Sequence, residues 1–374
     1  MSSKSFQPPE RILMGPGPSN VHPRVLEAMA RSTIGHLDPK FIELMDDIKS
    51  LLKYTFKTEN EVTFAVSGPG SVGMETCLVN LVEPDSKVIV CINGVFGGRM
   101  KSIVERCGAT PIVIQEAWGN AVDASKLEET LNKNKDVKIV AFVHAETSTG
   151  AKSDIKTLAE IAHKHNCIVI ADTVTSLGGI PLKIDEWNID ASYSGTQKCL
   201  SCPPGLSPVT FNDRAVELIK NRKTPVQSWF MDLNLVLGYW GGNVKRSYHH
   251  TAPINSLYGL HESLLLLKEE GIEKSWERHQ RNGKILVENL EKIGLSPYVK
   301  EQERLPELTS VKVPDGVNES DVRSKLLNDY NIEIGAGLGE LAGKVWRIGL
   351  MGYTSNEKNI DACVNALKAI LNPS

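Results

Sequence analysis

Lys198 and Asp172 are the two side chains whose chemistry the rest of the chain must place. Lys198 lies in Tyr193-Ser194-Gly195-Thr196-Gln197-Lys198-Cys199, just past the apolar run Ile189-Asp190-Ala191-Ser192-Tyr193. Asp172 closes an earlier run, Cys167-Ile168-Val169-Ile170-Ala171-Asp172. A lysine amine can hold a carbonyl compound as a Schiff base. A buried carboxylate can keep a pyridine nitrogen protonated, so that the ring accepts electrons from a substrate carbon. An acid ending one buried strand and a lysine just past the next therefore suit an enzyme that uses pyridoxal phosphate.

A phosphate needs its own cradle, and Ser67-Gly68-Pro69-Gly70-Ser71-Val72-Gly73 offers one. It follows the strand-like run Val62–Val66 and precedes a helical stretch, 74–81. Small residues there let backbone N–H groups face an anion at a helix N-terminus, where the helix dipole adds attraction. The same letters satisfy G-x-G-x-x-G, so a nicotinamide dehydrogenase is a competing reading. That fingerprint expects an acid closing the next strand. Here the run Lys87–Ile92 ends in Asn93-Gly94.

Further candidates follow other strand ends, where ligands bind in open α/β sheets. Phe96, in Asn93-Gly94-Val95-Phe96-Gly97-Gly98, can lie flat on a cofactor ring. Thr147, in His144-Ala145-Glu146-Thr147-Ser148-Thr149-Gly150, can hydrogen-bond a ring hydroxyl or Asp172. His144 and Glu146 are of acid–base type, although support of the loop is the favoured role. In Tyr248-His249-His250-Thr251 the two hydroxyls can donate to a phosphate. The paired histidines lack a third ligand at metal-site spacing. Arg347, inside the apolar run Lys344-Val345-Trp346-Arg347-Ile348-Gly349-Leu350, needs a partner, either a substrate carboxylate or an internal acid. Cys199 and Cys202 form a single C-x-x-C, which reads as small side chains packed near the lysine rather than as a metal or redox pair.

These residues require a frame, and the chain supplies an alternating one. Strand-like runs at Val62–Val66, Lys87–Ile92, 111–115, 138–144, 167–171, 191–194 and 208–211 are separated by helical spacing. Several are apolar throughout, as strands are when helices cover both faces of a sheet. Phe41, Leu44, Met45, Ile48, Leu51 and Leu52 mark one helix, with Asp38 as its cap and Pro39 at its first position. The predicted fold is α/β, a large domain with a mostly parallel central sheet spanning 15–255. A long helix over 256–293 then leads to a small α+β domain, 294–374, and the tail 1–14 is expected to pack on that domain or on the dimer. The stretch between Pro225 and Pro253 reads as loop-rich.

The chain has 374 residues, a net charge of −3 and no basic block or acidic tail. Nucleic acid and anionic membrane surfaces are therefore not expected partners. No apolar run approaches the roughly 20 residues of a membrane span. Neither a secretory signal nor a peroxisomal tripeptide is recognisable, and seven scattered cysteines suit a reducing compartment, so a cytoplasmic location is expected.

Taken together, the strings G-P-G-P-S-N at Gly15–Asn20, the Ser67–Gly73 turn, H-A-E-T-S-T-G, A-D-T-V-T-S-L-G-G, S-G-T-Q-K, Y-H-H-T and K-V-W-R-I-G-L resemble the fold-type I, class V aminotransferases. The likeness is to the alanine–glyoxylate and serine–pyruvate group and covers nearly the whole chain. It implies a pyridoxal 5′-phosphate enzyme exchanging an amino group between a small amino acid and a small 2-oxo acid. Lys198 would be the Schiff-base lysine and Asp172 the partner of the pyridine nitrogen. Val174 and Phe96 would cover the two ring faces, with Phe96 standing where mammalian members carry Trp. Pro69, Gly70, Ser71 and Gln197 would hold the phosphate. Tyr248 and Thr251 would reach it from the neighbouring subunit of a homodimer. Arg347 would grip the substrate carboxylate, with Thr147, Gly15, Gly35 and His36 bordering the pocket, Gly35 and His36 across the dimer interface. Cysteine desulfurase chemistry is the alternative within the class, but those relatives carry His directly before the lysine, where Gln197 stands. They also need a reactive cysteine on a mobile loop, and Cys363 falls in a helical pattern.

Overall fold

The computed structural model describes residues 4–241 and 246–372. The extreme ends of the expected tail and C-terminal region, and part of the loop-rich stretch, lie outside the described residues. Seven strands form the central sheet: β1 (Val62–Ser67), β2 (Lys87–Ile92), β3 (Thr110–Gln115), β4 (Ile139–Val143), β5 (Ile168–Asp172), β6 (Ala191–Tyr193) and β7 (Leu206–Phe211). Their spatial order is β1-β7-β6-β5-β4-β2-β3. Only β7 runs antiparallel to its neighbours. The central strands β4 and β5 are buried along their whole length, which explains their lack of polar alternation. Edge strand β3 is partly exposed, with Val113 at its surface.

This topology brings the ends of β1, β2, β4, β5 and β6 to one edge of the sheet. The Ser67–Gly73 turn, Phe96, Thr147 and Asp172 each stand at or just past one of those ends, whereas Gly15, Gly35 and His36 precede β1. Helix α1 (Pro39–Phe56) begins as its sequence dictates, the Asp38 carboxylate accepting the Lys40 N–H at 2.8 Å with Pro39 in the first turn. Helix α2 (Gly70–Leu81) starts directly in the glycine-rich turn, four residues earlier than the apolar spacing suggests. Helix α3 (Val95–Arg106) follows β2.

Two stretches depart from the sequence reading. The helix expected over 256–293 is two helices, Ile254–Glu270 and Ile272–Lys292. Gly271 separates them with φ +89°, a left-handed conformation that glycine adopts without a Cβ clash. Arg278 grips Glu270 with two N–H···O bonds of 2.6 and 2.9 Å and so fixes the corner. The loop-rich stretch also holds a helix, Leu233–Trp240, capped by Asp232 and docked through the Asn80 amide. Nearby prolines and glycines hid its eight residues.

Beyond the corner, Leu308–Lys312, Val345–Gly349 and Gly335–Ala336 form a three-stranded antiparallel sheet. Its apolar face packs against Leu286 and Leu290 and the helix Glu357–Leu371. Ile12–Leu13 pairs in parallel with Ile332–Glu333, and Met14 is buried in the same cluster. The opening string Gly15–Asn20 therefore runs from this C-terminal sheet toward Lys198.

Candidate active site

Lys198 is placed by the short path from β6 and by a strap from the chain's beginning. Ser19 donates its hydroxyl to the Lys198 carbonyl at 2.7 Å, and the Lys198 ammonium donates to the Pro16 carbonyl. Gly17 suits this strap because its φ of +102° is one that L side chains rarely adopt, and a Cβ there would push the Lys198 amine, 2.5 Å away, from its place. The side chain is nearly buried. Burial first, and Arg347 second, pull its amine down to about 8.

Asp172 lies in register with Tyr193 on the adjacent strand, so both side chains share one face. The Tyr193 hydroxyl donates to Oδ2 at 2.8 Å, and the Val174 N–H donates to Oδ1 at 2.9 Å. Burial nevertheless pushes the carboxyl up to about 6, the two hydrogen bonds and the Lys198 and Arg99 charges opposing it. Thr147 is not one of its partners. Tyr193 escaped the sequence reading because it looked like strand filler; its match with Asp172 emerges only from strand register.

Arg347 is 6% exposed. It donates Nε to the Ala336 carbonyl at 2.6 Å and Nη1 to the Thr147 carbonyl at 3.0 Å, and forms no ion pair among the described residues. Burial lowers it to about 10, against the opposing pull of Glu146. An internal acid is thus not its partner. Gly15 borders the same strand: a Cβ on Gly349 would strike the Gly15 carbonyl at 2.0 Å. That contact ties the opening strap to Arg347's strand.

At the glycine-rich turn, Gly70 allows close approach. A Cβ there would lie 3.3 Å from the Val174 methyl and 3.6 Å from the Gly195 backbone. No side chain caps helix α2. The Ser71 hydroxyl accepts Arg99 Nη1 at 2.9 Å. The Gln197 amide oxygen is buried without a partner. Phe96 is half-buried on the first turn of α3, whose N-terminus Glu146 and Ser148 hold by accepting the Phe96 and Val95 N–H groups. Glu146 is thereby a supporting residue, with burial raising it to about 7. His144 turns away, edge-on to Trp187 at 5.9 Å, and burial drives it down to about 3.

Four expected site residues lie elsewhere. His36 packs at 5.3 Å from the Tyr248 ring, and the Tyr239 hydroxyl donates to the His36 carbonyl. Gly35, Tyr248 and Thr251 are exposed, Tyr248 by 63%. The structure brings Gly35, His36 and Tyr248 together near the surface, and none of them hydrogen-bonds Arg347 among the described residues. His250 connects this region to the glycine-rich turn through a 2.9 Å contact with Ser67. His249 stacks on Trp229 at 4.5 Å.

The family model for class-V aminotransferases matches residues 13–362. The chain belongs to that family. It is an aminotransferase, and its frame of helices over a mostly parallel sheet is that of fold-type I enzymes. It is 42% identical over 371 residues to alanine–glyoxylate aminotransferase of Rattus norvegicus, covering 99% of this chain and 89% of that one. The crystal structure of alanine–glyoxylate aminotransferase from Nostoc sp. superposes with a TM-score of 0.97 at 47% identity, over 100% of this chain and 98% of that one. Ureidoglycine–glyoxylate aminotransferase of Bacillus subtilis superposes with a TM-score of 0.96 at 37% identity, covering 98% and 94%.

The class implies pyridoxal phosphate, and the residues present fit it. A buried carboxylate raised to about 6 calls for a cationic ring atom, an uncapped helix start for a phosphate, and a lysine near 8 for a carbonyl partner. The desulfurase alternative lacks its nucleophile. All seven cysteines are buried, and burial raises Cys363 to about 12. The dinucleotide alternative lacks its acid, since Asn93 instead donates to the Asn120 carbonyl at 2.9 Å.

Proposed function

We propose that this aminotransferase binds pyridoxal phosphate through Lys198 and moves the amino group of alanine, or serine, to glyoxylate or pyruvate. Bound there, the cofactor supplies a carbonyl for the substrate amine and a ring that accepts electrons from its α-carbon. Lys198, with its amine lowered to about 8, is unprotonated often enough at neutral pH to take the α-proton as general base. Asp172 stays ionised beside the pyridine nitrogen, because an adjacent positive charge favours the carboxylate. Val174 and Phe96 cover the ring faces. Pro69, Gly70, Ser71 and Gln197 hold the phosphate.

The observation that carries the substrate assignment is Arg347. A buried guanidinium whose partners among the described residues are two carbonyls, close enough to Lys198 to lower its amine, is suited to a carboxylate. An amino acid whose α-carboxylate is gripped there presents its amine toward Lys198, with Thr147 and Gly15 bordering it. Alanine and glyoxylate stand in the names of the Rattus norvegicus and Nostoc relatives, which supports that donor and acceptor; serine and pyruvate rest on the sequence resemblance.

Gly35, His36 and Tyr248, with the exposed Thr251, serve the neighbouring subunit of a homodimer, Tyr248 and Thr251 donating to its phosphate. Support comes from the exposure of Tyr248 and Trp229, 63% and 64%, beside the phosphate turn. Seven unpaired cysteines suit a cytoplasmic location. Initial rates with alanine and glyoxylate varied together test the reading. Parallel double-reciprocal lines are expected from two half-reactions, and intersecting lines sink it.

A further inference from the structure

Arg99 has no role in the assignments above, yet its surroundings are specific. It stands three residues after Phe96 on α3, so the two share a helix face. Its guanidinium carbon lies 5.1 Å from the Phe96 ring centroid. Its Nη1 donates to the Ser71 hydroxyl at 2.9 Å, on the first turn of α2. It pairs with no carboxylate among the described residues. A guanidinium offers five N–H donors in a planar fork suited to an oxyanion. Here one of them is spent on a neutral hydroxyl.

That hydroxyl gives the arrangement its direction. Serine carries one hydrogen and two lone pairs. With Arg99 on a lone pair, the hydrogen is free to be donated, and hydrogen-bond chains polarised this way strengthen along their length. The recipient must be an acceptor at the start of α2, where the helix has no side-chain cap and the dipole favours negative charge. Ser71 therefore acts as a donor there, with a positive charge behind it. The Arg99–Ser71 hydrogen bond places the guanidinium beside the start of α2, at the rim of this site.

We propose that Arg99 is a positioning residue for the cofactor's phosphate dianion, polarising Ser71 toward it and bracing Phe96 by its ring face. This rests on the pyridoxal phosphate reading and adds to it a further element of phosphate grip, contributed by α3. Because Arg99 is exposed, its effect belongs at the low end of charge-assisted hydrogen bonding, about tenfold in affinity.

The test uses cofactor-stripped full-length protein titrated with pyridoxal phosphate and with pyridoxal, followed by tryptophan fluorescence, with 31P NMR of the bound phosphate alongside. Arg99→Met is expected to weaken pyridoxal phosphate about tenfold or more, to change pyridoxal less than twofold, and to move the 31P resonance. Arg99→Lys should restore part of the loss. Ser71→Ala should reduce the same preference, and adding Arg99→Met to it should cost less than in the wild type, as coupled groups do. Unchanged pyridoxal phosphate affinity in Arg99→Met, or equal losses for both ligands, overturns the proposal. So does a loss confined to the KM of a dicarboxylic donor, which would make Arg99 a substrate group. If the wild-type protein itself does not prefer pyridoxal phosphate over pyridoxal, the phosphate-site reading fails rather than the role of Arg99.

Discussion

Replacing Tyr193 by Phe removes one hydroxyl and keeps the ring, so it isolates the hydrogen bond to Asp172. That bond is 2.8 Å long, and both groups are buried, so water cannot replace it. A hydrogen bond to a charged group contributes about 1.5–3 kcal/mol. One pKa unit corresponds to about 1.4 kcal/mol. Losing the bond should therefore carry the Asp172 carboxyl from about 6 to roughly 7–8 in the protein without cofactor. On the proposed reading the ionised carboxylate would hold the cationic ring, so affinity for pyridoxal phosphate should fall as pH drops through this value. In the wild type the break should lie near 6. In Tyr193→Phe it should move up by one to two pH units, so that binding at pH 7 weakens while binding at pH 9 is nearly unchanged. Fluorescence titrations from pH 5 to 9 read this directly. If the break stays put, or affinity falls by the same factor at every pH, the hydroxyl does not tune Asp172 and the reasoning fails. The sign for folding is opposite. A carboxyl raised by burial adds stability below its ordinary value of 3.8, and that stability is lost as pH rises toward 6. The stripped protein should thus gain most from the cofactor above pH 6.

Two further outcomes are specific. Arg347→Ala should lower kcat/KM for alanine by roughly a hundredfold or more, since two charge-assisted bonds of about 1.5–3 kcal/mol each are lost, while cofactor absorbance is retained; an unchanged KM for every amino acid refutes its carboxylate role. Glu307 is buried with both carboxylate oxygens unpartnered, and burial raises it from 4.5 to about 8, so the stability it provides below pH 4.5 is lost as pH climbs toward 8. Glu307→Gln should therefore gain melting temperature relative to the wild type progressively between pH 5 and 8, and a difference that stays flat across that range contradicts the burial account.

The parts legible in the sequence were those encoded within single segments. Asp172 and Lys198 stand at strand ends because alternating apolar runs announce the strands, and Asp38-Pro39 announces α1. Arg347 stood out as a charge inside an apolar strand. What escaped notice depends on register and on distant chain. The pairing of Tyr193 with Asp172 follows from how β6 lies against β5. The Pro16 carbonyl meets Lys198 across 182 residues of sequence. Arg99 joins Ser71 only because α2 and α3 start side by side at the sheet edge. His144 is of acid–base type but expected to support its loop, and in the structure it packs edge-on to Trp187 at 5.9 Å.

The central claim, that Lys198 with bound pyridoxal phosphate carries an amino group between two separate substrates, is tested most directly by a single turnover without acceptor. Purified protein mixed with alanine alone should release about one pyruvate per active site and lose its visible cofactor band, and glyoxylate added afterwards should restore the band. Lys198→Ala should do neither. Pyruvate formed only when glyoxylate is present from the start, or full turnover by Lys198→Ala, would contradict the account.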